Sequence, residues 1–176
     1  MAKTITCHTV PGTLVNCVGT NKDDVIFTTG PGPFGFLIEG RGGNDVIHGS
    51  NFWDTIEGGD GDDKIYGKGG PIDDIFGGRG DDKIDGGTGI DRIQGEQGND
   101  DIAGGPDDDS IDGGYGSDSI YGGPGRDNIR PNEFDDRDFN KDTVDCGSGT
   151  DFLNMLRSSD GDTANSNCEN IIDLDG

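Results

Sequence analysis

The chain has 176 residues, of which 36 are acidic and 13 are basic, so its formal net charge at pH 7 is −23. Only 28% of the residues are hydrophobic, and 35 are glycine. This composition is too poor in apolar side chains for a large globular core and would leave the chain disordered unless its charge were neutralised. The length fits a single domain, no stretch is long enough for a membrane-spanning helix, and so acidic a chain is not expected to bind nucleic acid.

Residues 1–18 differ from the sequence that follows, and we interpret them as an N-terminal cap. The segment reads MAKTITCHTVPGTLVNCV and lacks the apolar run of a signal peptide, so no signal peptide is expected in it. Cys7 and Cys17 are close enough in sequence to bridge a short hairpin. Such a cap is expected to cover the unpaired strand edges at the start of a stacked array.

Residues 19–154 are repetitive. Between Gly40 and Arg130 ten units follow the pattern G-G-x-G-x-D-x-I-x, and one of them, Gly67–Phe76, carries a single insertion. Every unit has the aspartate, and an isoleucine follows it by two residues. A regular internal repeat of this kind determines the architecture. A disordered Gly/Asp-rich tract is the alternative, but it has no reason to place isoleucine every ninth residue.

The repeat predicts an all-β fold, a right-handed parallel β-roll (a β-helix solenoid) of 18-residue coils with small non-repeat caps at both ends. Glycine at the first, second and fourth places permits a tight turn of six residues. The x-Ile-x triplet that follows suffices for a very short strand. Two units then complete one coil with a strand on each side, and successive coils stack about 4.8 Å apart. The isoleucines are expected to form two facing ladders inside.

This pattern resembles the calcium-binding nonapeptide of the RTX (repeats-in-toxin) parallel β-roll family, over more than half of the chain. The resemblance implies that each ion lies between two turns one coil apart. The lower turn would supply its second and fourth carbonyls and its aspartate, and the upper turn its first and third carbonyls and its aspartate. For one ion these ligands are Gly59, Gly61, Asp63, Gly77, Arg79 and Asp82. Oxygen-only ligation favours calcium over zinc or copper.

Along the whole chain the resemblance implies one row of carboxylate ligands and one of backbone ligands. The carboxylates are Asp24, Asp45, Asp54, Asp63, Asp73, Asp82, Asp91, Asp100, Asp109, Asp118, Asp127, Asp142 and Asp151. The glycines are Gly59, Gly61, Gly77, Gly78, Gly80, Gly86, Gly87, Gly89, Gly95, Gly98, Gly104, Gly105, Gly113, Gly114, Gly116, Gly122, Gly123 and Gly125. If these aspartates only formed turns, Asn or Ser would serve equally well.

The spacing of the units predicts two edges of the roll. One edge carries Asp45, Asp63, Asp82, Asp100 and Asp118, and the other carries Asp54, Asp73, Asp91, Asp109 and Asp127. Four gaps on each edge give about eight calcium ions or more, which would cancel roughly 16 negative charges. The chain is therefore expected to be unfolded without calcium and folded with it.

Several turns depart from the pattern. The turn Gly49–Asp54 (GSNFWD) lacks glycine at the second and fourth places, Gly104–Asp109 (GGPDDD) lacks it at the fourth, and Pro71 marks the inserted unit. We expect weaker or irregular metal sites at these turns. In residues 28–39, Phe36 stands where the aspartate should be. That turn is predicted to be metal-free and packed by Phe34 and Phe36, the alternative being a patch that binds a partner.

After Arg130 the period breaks. The unit of residues 131–145 is long and acidic, and its alternating Asp136, Asp138, Asn140 and Asp142 are either an irregular extra metal site or part of a solvated loop. Cys146–Asn154 is the last recognisable unit, and residues 155–176 are interpreted as a C-terminal cap.

Four cysteines allow three disulfide pairings. Proximity in the sequence favours Cys7–Cys17 and Cys146–Cys168, with free buried thiols as the alternative. An even cysteine count in a small chain indicates an oxidising compartment, so we expect a secreted, extracellular or cell-surface protein. RTX proteins exported by type I systems usually lack cysteine, so the cysteines favour a general secretory route.

The sequence does not predict an enzyme. Its two histidines, His8 and His48, are far apart, and no nucleophile elbow, zinc-protease motif or phosphate-binding loop is present. Three functions remain: a calcium-folding module with a structural, surface or matrix role, a carrier domain of a larger secreted enzyme or toxin, and an ice-binding solenoid. The last is disfavoured because the outward seventh place holds no regular array of one small residue. A protein or glycan partner cannot be named from the sequence.

Overall fold

The computed structural model describes residues 2–8, 13–30, 34–132, 140–155, 162–169 and 171–173. In these residues the chain forms strands and turns, and no helix is present. Consequently none of the described segments is a helix long and apolar enough to cross a membrane. The all-β prediction is confirmed.

The described residues form eighteen strands, numbered β1 to β18 in chain order. Their bounds are β1 Lys3–His8, β2 Val15–Val18, β3 Asp24–Thr29, β4 Phe36–Gly42, β5 Val46–His48, β6 Thr55–Asp60, β7 Lys64–Tyr66, β8 Asp74–Arg79, β9 Lys83–Asp85, β10 Arg92–Gln97, β11 Asp101–Ala103, β12 Ser110–Tyr115, β13 Ser119–Gly125, β14 Asn128–Asn132, β15 Thr143–Gly149, β16 Phe152–Met155, β17 Thr163–Ala164 and β18 Ile171–Asp173.

The strands alternate between two parallel sheets, as a β-roll requires. The odd-numbered strands form the first sheet and the even-numbered strands the second, each in sequence order. In the first sheet the register aligns Ile47, Ile65 and Ile84 on neighbouring strands. The predicted stack of coils is therefore confirmed.

The two sheets differ in strand length. Central strands of the first sheet, such as β7 and β9, span three residues, as the x-Ile-x triplet predicts. Central strands of the second sheet, such as β6 and β8, span six. They are longer because pairing continues into the next turn, where Gly59 faces Gly78. These glycine-rich residues pair through their backbones, which needs no apolar side chain.

The core is a double ladder of isoleucine. The isoleucines that follow each repeat aspartate by two residues are at most 2% exposed, and Phe36 joins them at 1%. Burying each such side chain stabilises the fold by about 1.5–3 kcal/mol. Phe34, by contrast, is 38% exposed, so the predicted aromatic packing holds for Phe36 and not for Phe34.

The coil length is 18 residues at many steps and longer at others. Coils joined by Asp82 to Asp100 and by Asp100 to Asp118 span 18 residues. The step from Asp54 to Asp73, across the inserted unit, is 19 residues, and the step from Asp118 to Asp142 is 24. Because strand registers are kept on either side of the inserted unit, its extra residue lies in the turn before β8.

Both ends of the roll are closed by strands and a disulfide. Strands β1 and β2 pair with β3 and β4, and β17 and β18 pair with β15 and β16. The predicted pairing is confirmed, with Cα–Cα distances of 6.0 Å for Cys7–Cys17 and 5.1 Å for Cys146–Cys168. Cys7–Cys17 links the first sheet to the second. The division into residues 1–18, 19–154 and 155–176 stays a prediction, although both end segments contribute strands to the sheets.

Candidate metal sites

The recurring aspartates are buried where each turn meets the next strand, at most 2% exposed. Except in Asp24 and Asp54, Oδ1 accepts a hydrogen bond from the backbone N–H of the aspartate one coil earlier. The amide of Asp63 donates to Asp82 at 2.8 Å, and the amide of Asp82 donates to Asp100 at 2.8 Å. The other edge repeats the arrangement from Asp73 to Asp91 at 2.9 Å. The predicted division of the aspartates between two edges is confirmed.

The second carboxylate oxygen, Oδ2, is left open in most of these residues. It is buried and accepts no hydrogen bond in Asp45, Asp63, Asp73, Asp82, Asp91, Asp100, Asp109 and Asp127. Leaving a buried carboxylate oxygen without a donor costs free energy, and the cost is larger for a charged group. A repeated arrangement of this kind favours a positive partner, and the residues that the structure describes do not supply one.

A second oxygen faces each open Oδ2. Asp63 Oδ2 and the carbonyl oxygen of Gly77, in the turn above, both lie 2.5 Å from the point where a Cβ on Gly58 would be. The same pairing recurs at Gly104, between Asp109 Oδ2 at 2.5 Å and the carbonyl of Gly122 at 2.7 Å. The first glycine therefore keeps open a cradle between two oxygen atoms, which a larger residue would fill.

Further carbonyls point into the same gap between turns. Cβ atoms on Gly78 and Gly80 would collide with the carbonyl oxygens of Gly59 and Gly61 in the turn below. From the turn above, the carbonyl of Arg79 accepts a hydrogen bond from the Gly61 amide at 2.6 Å. The structure thus brings together at one gap the six residues, Asp63 and Asp82 included, that the sequence analysis assigned to one ion.

The second place of the turn has a left-handed backbone in most units. Glycines hold it in most repeats, with φ of 115° at Gly59 and 118° at Gly78, but Arg41, Lys68 and Glu96 adopt it too, at 82°, 76° and 75°. At the fourth place, Asp107 takes φ of 89°. The turns with Arg41, Lys68, Glu96 or Asp107 in place of a glycine therefore keep the left-handed backbone of the repeat, whereas Ser50 in the turn Gly49–Asp54 does not adopt it. Weaker metal binding at these turns stays a prediction.

Replacing Glu96 by glycine should stabilise the calcium-loaded chain by about 0.5–1 kcal/mol. A left-handed backbone costs an L-residue about 1–2 kcal/mol, and the larger entropy loss of glycine offsets about 0.5–1 kcal/mol of the gain. The check is the midpoint of thermal unfolding in saturating calcium. Gln97→Gly is the matched control, because Gln97 is next to Glu96 in β10 and lies outside the left-handed set. It should lower the midpoint, and a lower midpoint for Glu96→Gly would contradict the prediction.

Burial changes the acidity of the open aspartates. Desolvation raises the pKa of Asp73, Asp82 and Asp109 to about 8, and neighbouring carboxylates add to the effect. Burial likewise raises the pKa of Asp45 to about 7. At Asp24 burial acts in the same direction, but hydrogen bonds from Thr20 and Lys3 outweigh it, so the pKa lies below its usual value. The open carboxylates therefore need a proton or a cation beside them.

Three hydroxyl residues that the sequence analysis did not consider contact these positions. Thr20 and Ser50 occupy the second place of their turns, and Thr28 occupies the first place of its turn. Thr20 donates to Asp24, Ser50 donates to Asp54, and Thr28 donates to the carbonyl of Gly49 at 2.7 Å. In the sequence, only the positions of these three residues within the repeat could have indicated such contacts.

Other predicted site residues lie toward the C-terminus. Asp142 and Asp151 join the two aspartate rows, since their Oδ1 atoms accept hydrogen bonds from the amides of Asp118 and Asp127 at 2.8 and 3.0 Å. Asn140 is exposed. Asp136 and Asp138 lie outside the described residues, so the alternatives for residues 131–145 stay as the sequence left them.

The gaps fit a calcium ion. Among the residues that the structure describes, no three His, Cys, Asp or Glu side chains come together as a metal cluster. A cation in a gap would therefore meet the two aspartates and the backbone carbonyls around it, an all-oxygen set that suits Ca²⁺. When bound, the cation would supply the positive charge that the paired aspartates lack.

Comparison with known proteins agrees with this geometry. The family model of the RTX calcium-binding nonapeptide repeat matches the chain in four copies, at residues 39–71, 76–111, 94–129 and 103–137. These matches cover more than half of the 176 residues. No curated protein and no solved structure matched the chain. Seven of the eight open aspartates, all except Asp73, lie within the matched residues, and the chain belongs to the family of the RTX calcium-binding nonapeptide repeat.

Proposed function

We propose that this chain is a secreted protein that folds as about eight or more calcium ions enter the gaps between its turns, and that its role is structural, at a surface or in a matrix, and not catalytic. The observation that carries the proposal is the set of eight buried Asp Oδ2 atoms, four along each edge, that accept no hydrogen bond. Each gap pairs two carboxylates, and the described residues place no cationic side chain against these Oδ2 atoms.

The balance of charge supports a role for many ions. Five ion pairs join described residues of the roll; most are exposed, as Lys83 with Asp101 is, one is partly buried, and none involves an aspartate of the two rows. Exposed pairs of this kind stabilise a protein by about 0–1 kcal/mol. They leave the inner carboxylates uncompensated, so calcium would neutralise the charge that the fold itself concentrates at its two edges.

The disulfides support an extracellular setting. All four cysteines are paired, and disulfides persist in oxidising compartments. Calcium is abundant outside cells and scarce inside them. A chain of this kind would therefore stay open during export and fold on release.

The number of ions tests the proposal. Native mass spectrometry of the chain in calcium should find about eight or more bound ions, and calorimetry should find binding coupled to folding. Replacing Asp82 and Asp100 together by alanine should remove at least two ions, because these residues border three consecutive gaps along one edge. The calcium concentration at the folding midpoint should rise several-fold.

A matched control removes the same charge from the outer surface. Asp85 and Asp101 are exposed, and their replacement by alanine should leave the ion count unchanged. A count of two or fewer ions in the unmodified chain would rule out the proposal. Equal effects of the two double variants would show that general charge, and not the turn sites, governs binding.

A further inference from the structure

Three turns near the N-terminus place protein donors on the oxygens that the central turns leave open. In the first of these, the Thr20 amide donates to Asp24 Oδ2 at 2.6 Å and the Thr20 hydroxyl donates to the same atom at 2.8 Å. The Lys3 amide donates to Asp24 Oδ1 at 3.2 Å. Both oxygens of this buried carboxylate are therefore satisfied by the protein.

The turn at Ser50 repeats the arrangement. Its amide donates to Asp54 Oδ2 at 2.6 Å, and its hydroxyl donates to Asp54 Oδ1 at 3.0 Å. Phe36 also donates its amide to Asp54 Oδ1, at 2.7 Å. One hydroxyl and two amides thus donate hydrogen bonds to the Asp54 carboxylate, which would otherwise face an ion.

The backbone conformation at the second place explains why the turns at Thr20 and Ser50 donate to both oxygens of their carboxylates. Residues at the second place of ten other turns have positive φ, among them Arg41, Lys68 and Glu96, whereas Thr20 and Ser50 do not. With an ordinary backbone, the amide N–H of the residue at the second place points toward the carboxylate of the same turn. With the left-handed backbone of the central turns, that amide is not directed at Oδ2 and the oxygen stays open.

The third turn, which begins at Thr28, substitutes for the ion with a side chain at its first place. Thr28 is buried at the first place, where the central turns have the glycine that keeps the cradle open. Its hydroxyl donates at 2.7 Å to the carbonyl of Gly49, the counterpart of the Gly77 carbonyl in a central gap. Phe36 stands in the place of the aspartate and is 1% exposed. Among the described residues, this gap therefore lacks the lower carboxylate, and the Thr28 side chain stands where the first glycine of a central turn leaves a cradle open.

We propose that Thr20, Thr28 and Ser50 hold their turns in place of calcium, so that strands β1 to β5 stay folded without the ion and form the end on which the calcium-dependent coils order. The Cys7–Cys17 disulfide joins the two sheets within this end. The inference rests on the proposed function, since it divides one stack into a metal-free part and a metal-dependent part. Nearest-neighbour contact between coils would then carry the order toward the C-terminus.

Hydrogen exchange of the full, oxidised chain tests this division. After calcium is removed with a chelator at pH 7.5, amides in residues 15–29 and 36–48 should exchange at least tenfold more slowly than in an unstructured chain. Amides in residues 74–130 should exchange as in an unstructured chain, and calcium should restore their protection. Mass spectrometry of peptides from both regions gives the two rates in one sample.

Thr28→Val isolates the role of the hydroxyl, because valine keeps the branched shape and removes the donor. In chelator it should reduce protection of residues 15–48 at least tenfold, and in calcium it should leave residues 74–130 unchanged. Thr55→Val, on the partly exposed first position of β6, is the matched control and should change neither region.

The possible outcomes separate the two proposals. Loss of protection in residues 15–48 together with residues 74–130 on chelation overturns the inference and leaves calcium-driven folding intact. Protection of all regions in chelator overturns the proposed function itself. An equal effect of Thr28→Val and Thr55→Val overturns the assignment of Thr28 as a substitute for the ion.

Discussion

Stripping calcium from the chain at pH 7.5 should remove more than half of its β signal in far-ultraviolet circular dichroism, and adding calcium back should restore the signal cooperatively. Without the ion, stacked carboxylates about 5 Å apart repel one another by nearly 1 kcal/mol even in water, and by more at a protein surface. The chain also has 35 glycines, whose ordering is entropically costly. Isoleucine burial alone should not offset both costs.

The identity of the ion provides a control for this result. Magnesium at the same concentration should not restore the signal, because it demands a small octahedral shell and gives up its water reluctantly. A metal-free chain with the full β spectrum and a sharp thermal transition would contradict the prediction.

Acid should partly replace calcium. A chain freed of metal on a chelating resin should gain β signal as the pH is lowered from 7.5 to 5. Burial raises the pKa of Asp73, Asp82 and Asp109 to about 8 in the folded chain, whereas their ordinary value is 3.8. Between these two values the folded state holds more protons than the unfolded state, so the stability of the metal-free roll falls as pH rises. This contribution to stability is fully present below about pH 4 and is lost as the pH rises through about 8.

The calcium-loaded roll should respond in the opposite direction. Its ligands must be deprotonated, so calcium binding should weaken as pH falls. Replacing Asp82 and Asp100 by asparagine mimics the neutral carboxyl and should raise the β signal of the metal-free chain at pH 7.5. Titration should stop at pH 5, above the isoelectric point of about 4.1, to avoid precipitation. No gain of β signal between pH 7.5 and 5 would contradict the prediction.

The sequence was enough to predict the parallel roll, its two aspartate edges and its isoleucine core, because a nine-residue period places Asp63 and Ile65 in equivalent environments in every unit. It was also enough for the disulfides, since Cys7 and Cys17 lie close together in the chain. It did not reveal the amide-to-carboxylate ladder. A residue pattern says that aspartates stack, but not that the Asp63 amide donates to Asp82 Oδ1.

Two further features were hidden for physical reasons. The strands of the second sheet reach into the turn at Gly58–Asp60, where backbone pairing leaves no mark in hydrophobicity. Thr28 was missed because its unit has three extra residues, which obscure the equivalence of Thr28 with the first glycine of other units. Its role becomes visible only through its contact with the carbonyl of Gly49.

The 18-residue step between equivalent aspartates has an evolutionary consequence. Each coil contacts its neighbours through the same backbone pairs, so a gene that lost the codons for residues 77–94 would still encode a continuous roll. The amide of Asp63 would then donate to Asp100, and that of Asp73 to Asp109, through turns of the same shape. Duplication of such a segment would lengthen the ladder in the same way. Recombination between repeats can therefore change the number of ions that the protein holds without inventing a new site.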